Sequence, residues 1–386
     1  MSATASTPPR SPRLSPDTTG LVVIPVVADD GEDDDVGARA VGAGRAELDP
    51  GAVATSAADV DDPPAPAEPP AVTGRPSAGR TLEVRGDDPW AEAGRKILRF
   101  HLARMLARVP GVIAGEDPEE VHAMRVAARR MRAAWRVFGD GFEREAERRY
   151  RDDLKEIGAH LGAVRDLDVL LELLTAYATR RGERGRAGLA PLVRAWSAQR
   201  EARRVELIAV LRSDRFSRFV AEYEAFAGTA GLAARPVAPH TPRRVRDRMP
   251  ATAWAAYQAL WAFDDGLEGA DLTTLHQSRI AGKWLRYTLE FVREALGPEA
   301  TLLIRPVVTL QDHLGLQHDL HVAGGLARQF ASGSESLTSH ERRSIERFVT
   351  HLDAGVEGLG RTFGPTWRPL VAPDYRRRLG RGLARL

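Results

Sequence analysis

The sequence predicts an all-α fold of two four-helix bundles related by a pseudo-twofold axis, preceded by a disordered, acidic and proline-rich N-terminal tail. Three observations lead to this prediction. From about residue 86 onward, apolar residues recur at intervals of three and four, with few alternating β-branched runs. A histidine-containing motif occurs twice at a nearly constant spacing. The composition also changes abruptly near residue 85.

The predicted tail covers residues 1–85. It holds seven arginines against fourteen acidic residues, a formal net charge of −7, and twelve of the 25 prolines. Such a segment cannot bury enough apolar surface to offset the entropy lost on folding. Residues 86–386 carry a net charge of +9, which suits an anionic partner.

Several classes of protein are excluded by composition. The chain has no cysteine, so disulfides, thiolate metal sites and cysteine nucleophiles are impossible. The apolar run at residues 21–27 is interrupted by Pro25 and is far shorter than the roughly 20 residues of a membrane helix. Its flanks also differ from those of a signal peptide. We therefore expect a cytoplasmic protein without a membrane partner.

The helical pattern divides residues 86–386 into two halves. A segment with four prolines, residues 231–250, is predicted to join a first bundle of about residues 86–230 to a second of about residues 250–386. The predicted helices cover about residues 88–108, 118–138, 143–178, 188–228, 250–264, 272–296, 300–331 and 339–363.

The histidine motif begins the second helix of each half. The first copy starts at Val121 and reads VHAMRVAARRMR, and the second starts at Leu275, 154 residues later, and reads LHQSRIAGKWLR. Asp117 and Asp271, each five residues before its histidine, are predicted N-caps. A second pair of matching segments follows at a spacing of 153, HLGAVRDLDV from residue 160 and HLGLQHDLHV from residue 313. The duplication therefore extends over more than one helix.

Each motif helix has a cationic face. On a helical wheel, the charged and histidine side chains of the first copy share one stripe about 80° wide; they are His122, Arg125, Arg129, Arg132 and Arg136. The opposite, apolar face carries Met124, Met131, Trp135 and Phe138. The second copy repeats the stripe with His276, Arg279, Lys283 and Arg286, but has Glu290 where the first has Arg136.

Such cationic rows suit phosphate, because a guanidinium donates a planar pair of hydrogen bonds to phosphate oxygens. A row along about 20 Å of helix matches a repeating polyanion better than a compact ligand. Lys155 precedes Gly162 by seven residues, and we expect its helix to line the same surface.

These segments resemble the CHAD domain family, the conserved histidine α-helical domain. The resemblance covers roughly residues 88–385 and rests on HxxRVAxRRxR, LHxxRIAxKxLRY and LGxxRDLDV. It implies two four-helix bundles in pseudo-twofold arrangement that bind inorganic polyphosphate in a basic central groove, with some members associated with polyphosphate granules. By position, it implies polyphosphate-binding roles for His122, Arg125, Arg129, Arg132, His276, Arg279, Lys283 and Arg286, a set that Arg136 and Lys155 extend.

The chain also departs from the family pattern. Gln317, His318 and Asp319 replace the fuller charged form of the first half, so the second bundle is expected to contribute less. Many relatives carry a CYTH triphosphatase domain, but its Glu-x-Glu-x-Lys strand is absent from this sequence. No Walker loop or nucleophile with a neighbouring base is present either. We expect no enzymatic activity and no cofactor.

Two further interpretations concern the remaining polar and aromatic residues. Asp166, Asp168 and Asp319, with His318 and His321 nearby, allow a metal site, but ion pairing with arginine or histidine is the favoured interpretation. We therefore predict no bound metal. The tryptophans are interpreted as core residues rather than base-stacking platforms; they include Trp135, Trp196, Trp254, Trp284 and Trp367.

Two functions stay open at this point. The first is a module that binds inorganic polyphosphate. The alternative is a nucleic-acid-associated or adaptor protein that uses the same basic rows on a phosphodiester backbone. Both predict salt-sensitive binding, and competition between polyphosphate and DNA at equal phosphate concentration separates them.

Overall fold

The computed structural model describes residues 81–264, 267 and 270–386 of the chain. Within these ranges, the structure consists of α-helices, turns, 3-10 residues that include the turn at Gly139–Gly141, and two isolated β-bridges. The helices are α1 (Trp90–Ala114), α2 (Pro118–Phe138), α3 (Arg144–Thr179), α4 (Glu183–Leu211), α5 (Asp214–Gly228), α6 (Val245–Trp261), α7 (Leu272–Phe291), α8 (Arg293–Leu296), α9 (Glu299–Gly333), α10 (Ser339–Val371) and α11 (Pro373–Leu383). The predicted all-α class is confirmed. The predicted tail, residues 1–85, lies outside the described residues except for its last five.

The helix predicted over residues 188–228 is two helices, α4 and α5. The chain turns at Arg212 and Ser213, and the Ser213 hydroxyl accepts a hydrogen bond from the Phe216 amide at 3.1 Å. This contact is a side-chain N-cap of α5. Hydrophobic periodicity alone did not reveal it, because apolar residues continue at helical spacing on both sides of the turn.

The C-terminal end of the chain is more helical than predicted. Helix α10 continues past residue 363 through Pro365 and Pro369, which are both exposed, so the backbone groups they leave without a helical partner lie near solvent. Helix α11 was not predicted. It begins with Pro373 at its first position, and Tyr375 and Leu379 belong to its buried face.

The residues between α5 and α6, within which a joint between the two halves was predicted, are not helical, although α6 already begins at Val245 and contains Pro250. Backbone hydrogen bonds fasten this connection to the first half. The Glu143 amide donates to the Ala233 carbonyl at 2.9 Å, and the Trp90 amide donates to the Arg243 carbonyl at 2.8 Å. The connection is therefore tied to the starts of α1 and α3.

The two ends of the described fold lie together. A Cβ atom added to Gly86 would overlap the backbone carbonyl of Leu386. The Gly86 carbonyl also accepts a hydrogen bond from the Arg246 amide at 2.9 Å. The segment that leads into α1, the start of α6 and the end of α11 thus meet at one place.

The repeated motifs occupy corresponding helices. Helix α2 packs between α1 and α3, and α7 packs between α6 and α9. The predicted N-caps are confirmed: Asp117 accepts from the Glu119 amide at 2.9 Å, and Asp271 accepts from the Thr274 amide at 2.7 Å. The duplication in sequence is therefore a duplication of local structure.

Two hydrophobic clusters hold the described helices together, and each draws on both halves of the chain. In the larger cluster the rings of Phe138 and Phe291 lie 6.0 Å apart, and in the smaller one those of Tyr177 and Phe348 lie 5.1 Å apart. The apolar contacts thus cross the predicted boundary between residues 86–230 and 250–386. The division into two bundles stays a prediction.

Candidate functional site

The apolar face predicted for α2 is confirmed. Met124, Met131, Trp135 and Phe138 are all fully buried, and the Trp135 indole donates to the Tyr223 hydroxyl at 2.7 Å. With this face held in the core, the cationic stripe points toward α3 and α7. The core therefore determines where the arginines lie.

A cleft lies where α2 meets α7 and α3, and we call it the arginine cleft. It is lined by Arg129, Arg132, Ala133, Arg136, Arg151, Lys283, Trp284 and Tyr287. The Arg129 Nε donates to the Tyr287 hydroxyl at 2.5 Å. The Arg136 guanidinium lies 3.9 Å from the centre of the Trp284 ring, and the Lys283 ammonium lies 5.2 Å from it. These contacts bring cations from both halves together.

The burial of these cations is unequal. Arg129 and Lys283 are buried at 9% and 3% exposure, whereas Arg136 and Arg151 are exposed. A buried cation has lost part of its hydration. Its electrostatic attraction for an anion in the cleft is therefore stronger than that of an exposed cation, which water screens. The floor of the cleft is therefore its most favourable part for an anion.

Arg286 contacts the half-buried carboxylate of Glu290. Glu290 accepts a hydrogen bond from Arg286 Nε at 2.7 Å and pairs with Arg130 at 3.2 Å. Burial alone would raise the pKa of Glu290, but Arg130 and Arg286 outweigh it and hold that pKa below its ordinary value. Arg286, predicted to bind phosphate, thus contacts a carboxylate of its own helix and is not among the residues lining the arginine cleft.

Arg125 contacts α3. Its Nη1 donates to Asp166 at 2.7 Å, and it lies close enough to Gly162 that an added Cβ there would be 3.2 Å from Nη1. The glycine therefore leaves room for the guanidinium. The ion pairing predicted for Asp166 is confirmed.

Behind the start of α2 lie two ion pairs, each with one buried member. The Arg165 Nη1 donates to Glu172 at 2.6 Å, with the Arg165 side chain 1% exposed. Arg200 donates to Asp168, whose side chain is 3% exposed. Burial raises the pKa of Asp168, although the hydrogen bond from Arg200 acts to lower it. The ion pairing predicted for Asp168 is also confirmed.

A second cleft lies between the start of α7 and the middle of α9, and we call it the histidine cleft. It is lined by Leu272, Leu275, His276, Arg279, Leu314, Gln317, His318 and His321. The rings of His276 and His318 lie 5.6 Å apart. Arg279 is 2% exposed, whereas His321 is exposed. Imidazoles thus dominate its polar lining.

The residues predicted from the sequence are therefore distributed over several places. Four of them line the arginine cleft, namely Arg129, Arg132, Arg136 and Lys283. His276 and Arg279 line the histidine cleft. His122, Arg125, Lys155 and Arg286 line neither cleft, and Lys155 is exposed on α3.

Sequence reasoning missed two contributors to the arginine cleft. Arg151 precedes Lys155 by four residues and therefore lies on the same face of α3, which is the signal that would have found it. Trp284, interpreted as a core residue, is half-buried: it packs against the larger cluster and also lines the cleft. Trp135, Trp196 and Trp367 are buried as predicted.

Comparison with known families identifies this arrangement. A CHAD domain profile matches residues 96–328, more than half of the 386-residue chain. The chain belongs to the CHAD domain family. The match includes α2, α7 and both clefts, so the candidate site lies within the CHAD domain.

Solved CHAD-like structures share this fold. The crystal structure of the CHAD domain from the plant Ricinus communis has a TM-score of 0.58 and 26% identity, covering 74% of this chain and 96% of that one. PptA from Streptomyces chartreusis has a TM-score of 0.60 and 19% identity, covering 73% of this chain and 100% of that one. The likeness to PptA concerns the fold alone. No curated protein sequence matches the chain.

Two searches of the described residues were negative. They contain no group of three or more histidine, aspartate or glutamate side chains placed to hold a metal ion. Within the same ranges, none of the helices has the length and apolar character needed to cross a membrane.

Proposed function

We propose that this CHAD domain binds inorganic polyphosphate in the arginine cleft. The observation that carries the proposal is the convergence of Arg129, Arg132, Arg136 and Arg151 with Lys283 of the other half. Among the described residues that line this cleft, none is acidic. A cleft of this charge offers successive phosphates several hydrogen-bond donors at once.

The arrangement of donors favours a chain of phosphates over a single phosphate. Arg129, Arg132 and Arg136 follow one another along α2, and residues seven positions apart on a helix lie about 10 Å apart along its axis. A long polyphosphate contacts all three together, whereas inorganic phosphate reaches one or two. Affinity should therefore increase with chain length.

The packing of Trp284 favours polyphosphate over nucleic acid. Nucleic-acid-binding proteins commonly stack bases on exposed aromatic rings. In this cleft the Arg136 guanidinium, 3.9 Å from the ring centre, already covers Trp284. A ligand without bases therefore fits the cleft better. The nucleic-acid alternative becomes one outcome of the test.

The test replaces the more solvent-accessible cations of the cleft, since Arg129 and Lys283 are buried and their loss would disturb folding. The variant is Arg132→Gln, Arg136→Gln and Arg151→Gln, titrated with polyphosphates of several lengths, triphosphate and DNA. We expect affinity for long polyphosphate to fall at least about tenfold, since three contacts of about 0.5 kcal/mol each give that factor. The dependence of log affinity on log salt should also weaken by about three.

A matched control removes the same charge elsewhere. Arg212, Arg305 and Arg343 are exposed and line neither cleft, so their replacement by glutamine should change affinity less than about twofold. Equal losses of polyphosphate affinity in the two variants would show that the effect comes from net charge, and would reject the arginine cleft as the binding site. Preference for DNA at equal phosphate concentration would favour the nucleic-acid alternative.

The proposal describes binding without catalysis and includes association with polyphosphate granules. Incubation of the full chain with polyphosphate, with and without magnesium, should release no inorganic phosphate. A fluorescent fusion should accumulate at polyphosphate granules, and the triple cleft variant should not. Phosphate release would instead make the protein an enzyme.

A further inference from the structure

The histidine cleft is not explained by the arginine cleft. The two clefts share no lining residue. The polar lining of the histidine cleft consists of His276, His318, His321, Arg279 and Gln317. Three of these side chains are histidines, a residue type that does not line the arginine cleft, and histidine is the side chain whose ordinary pKa lies nearest neutrality.

The corresponding place in the first half is built differently. With the spacing of 153 residues, His318 and His321 correspond to Arg165 and Asp168. Those two residues are buried: Arg165 pairs with Glu172 of its own helix, and Asp168 pairs with Arg200 of α4. In the second half, imidazoles that line an open cleft replace a buried guanidinium and a buried carboxylate. The second copy has therefore exchanged internal ion pairs for groups that face a cleft.

The spacing of the imidazoles suits one tetrahedral anion. Hydrogen bonds from ring N–H groups to phosphate oxygens measure about 2.7–3.2 Å, so rings with centres 5.6 Å apart can both donate to one phosphate. Leu272, Leu275 and Leu314 line the rest of the cleft, and they limit its polar part. The cleft is thus suited to a single group rather than to an extended chain.

Protonation decides whether the cleft attracts an anion. Imidazole ordinarily titrates near pH 6.5, so acidification adds positive charge beside Arg279, which is buried in the same cleft. The helices packed here also carry charged groups, which include Asp312 and Asp319 of α9, Glu172 of α3, and Glu357 and Arg361 of α10. Adjacent imidazolium groups repel one another, and a bound anion offsets that repulsion.

We propose that the histidine cleft is a second anion site, which takes one phosphate group, either inorganic phosphate or the end of a polyphosphate chain, when its imidazoles are protonated. Recognition of the single phosphate is independent of the function proposed above. Its extension to a chain end rests on that function. The arginine cleft would then supply affinity at all pH values, and the histidine cleft would add affinity only in acid.

Proton NMR of the full chain tests this proposal. The chain has ten histidines, and single His→Gln variants assign the ring signals of His276, His318 and His321. Titrations from pH 5 to pH 8 are run in a phosphate-free buffer, with and without inorganic phosphate, and again with triphosphate. We expect phosphate to raise the titration midpoints of His276 and His318 by about half a pH unit or more. If phosphate moves none of the histidine titration midpoints of the wild-type protein, the proposal is overturned, and this outcome does not depend on the folding of any variant.

A variant and its control connect the cleft to binding. His318→Gln with His321→Gln should abolish the gain in polyphosphate affinity between pH 8 and pH 5.5 and leave affinity at pH 8 unchanged. His240→Gln is the control, because His240 is exposed in the connection between α5 and α6. Circular dichroism checks that each variant is folded.

The outcomes separate the two proposals. Absence of polyphosphate binding at pH 8, with midpoints that still respond to phosphate, rejects the arginine cleft and supports the histidine cleft. Polyphosphate binding at pH 8, with histidine midpoints that do not respond to phosphate, supports the arginine cleft and rejects the histidine cleft. An acid-dependent gain that survives in the double variant also rejects the histidine cleft. A midpoint change with triphosphate but not with inorganic phosphate identifies the chain end as the group recognised.

Discussion

The starts of α2 and α7 carry the same histidine and arginine, but the helices behind them differ. Behind α2, Arg165 and Asp168 are buried in ion pairs. Behind α7, His318 and His321 line an open cleft. The duplicated motif has therefore kept its cationic row while its supporting helix changed from a closed charged network to a set of titratable groups.

At the C-terminal ends of the two cationic rows, the first copy lines a cleft and the second copy is closed by ion pairs. In the first half the row ends in Arg136, which is exposed and lines the arginine cleft. In the second half the corresponding Glu290 pairs with Arg130 and Arg286. Each copy is open at the end where the other is closed. One duplicated element has thus produced two clefts of different chemistry.

The largest expected effect concerns the closed end of the first copy. Asp168→Ala should lower the free energy of unfolding by about 3 kcal/mol, because Arg200 loses its buried carboxylate partner close to the buried guanidinium of Arg165. The matched change, His321→Ala, should lower the free energy of unfolding by less than about 0.5 kcal/mol, since His321 is exposed. Urea unfolding at pH 7 measures both. Similar losses would contradict the contrast between a closed and an open copy.

The next effect concerns the opposite end of the rows. Glu290→Gln should lower the free energy of unfolding by about 1–3 kcal/mol at pH 7, because Arg130 and Arg286 lose their carboxylate partner. The folded-state pKa of Glu290 is held below its ordinary value of 4.5, so its contribution is present above that value and is lost as the pH falls through the folded-state pKa. The difference between wild type and variant should therefore shrink in acid.

Arg136→Gln, at the corresponding position, should leave stability within about 1 kcal/mol of wild type, since Arg136 is exposed and an exposed cation–π contact such as that with Trp284 contributes about 0.5–1 kcal/mol. Unfolding curves of both variants at pH 7 and pH 3.5 test this. A Glu290→Gln deficit that persists unchanged at low pH would show that the carboxylate acts through packing rather than charge.

The smallest effect separates two neighbours on α3. Arg151→Ala should weaken polyphosphate binding about two- to fivefold, since an exposed ion pair contributes about 0.2–1 kcal/mol. Lys155→Ala should change it less, because Lys155 does not line the arginine cleft. Parallel titrations at one salt concentration decide the order. A larger effect at Lys155 would extend the cleft one turn further along α3.

Much of this structure could be predicted from the sequence, because the signals were local. The N-caps at Asp117 and Asp271 and the buried face of α2 depend on residues close together in the chain. Helix α11 was missed; it follows a stretch that contains Gly364, Pro365 and Pro369, residue types that commonly end a helix. Those prolines are tolerated where their backbone lies near solvent.

The division of the predicted cations between two clefts could not be obtained this way. A helical wheel places His276, Arg279 and Lys283 on one stripe, but it does not say which neighbouring helix each one meets. Lys283 meets α2, whereas His276 and Arg279 meet α9. Arg286 was assigned to the ligand although its partner, Glu290, lies only four residues away. Tertiary contacts decided both outcomes.

The meeting of Gly86 and Leu386 has a consequence for the order of the chain. A covalent link between these ends needs only a short peptide, because the two backbones already touch. New ends can then be opened at Gly182, in the turn between α3 and α4, where a Cβ would meet no atom within 4 Å. Such a circularly permuted chain would keep both clefts while changing which duplicated copy leaves the ribosome first. The order in which the two copies are synthesised can thus be changed without changing the fold.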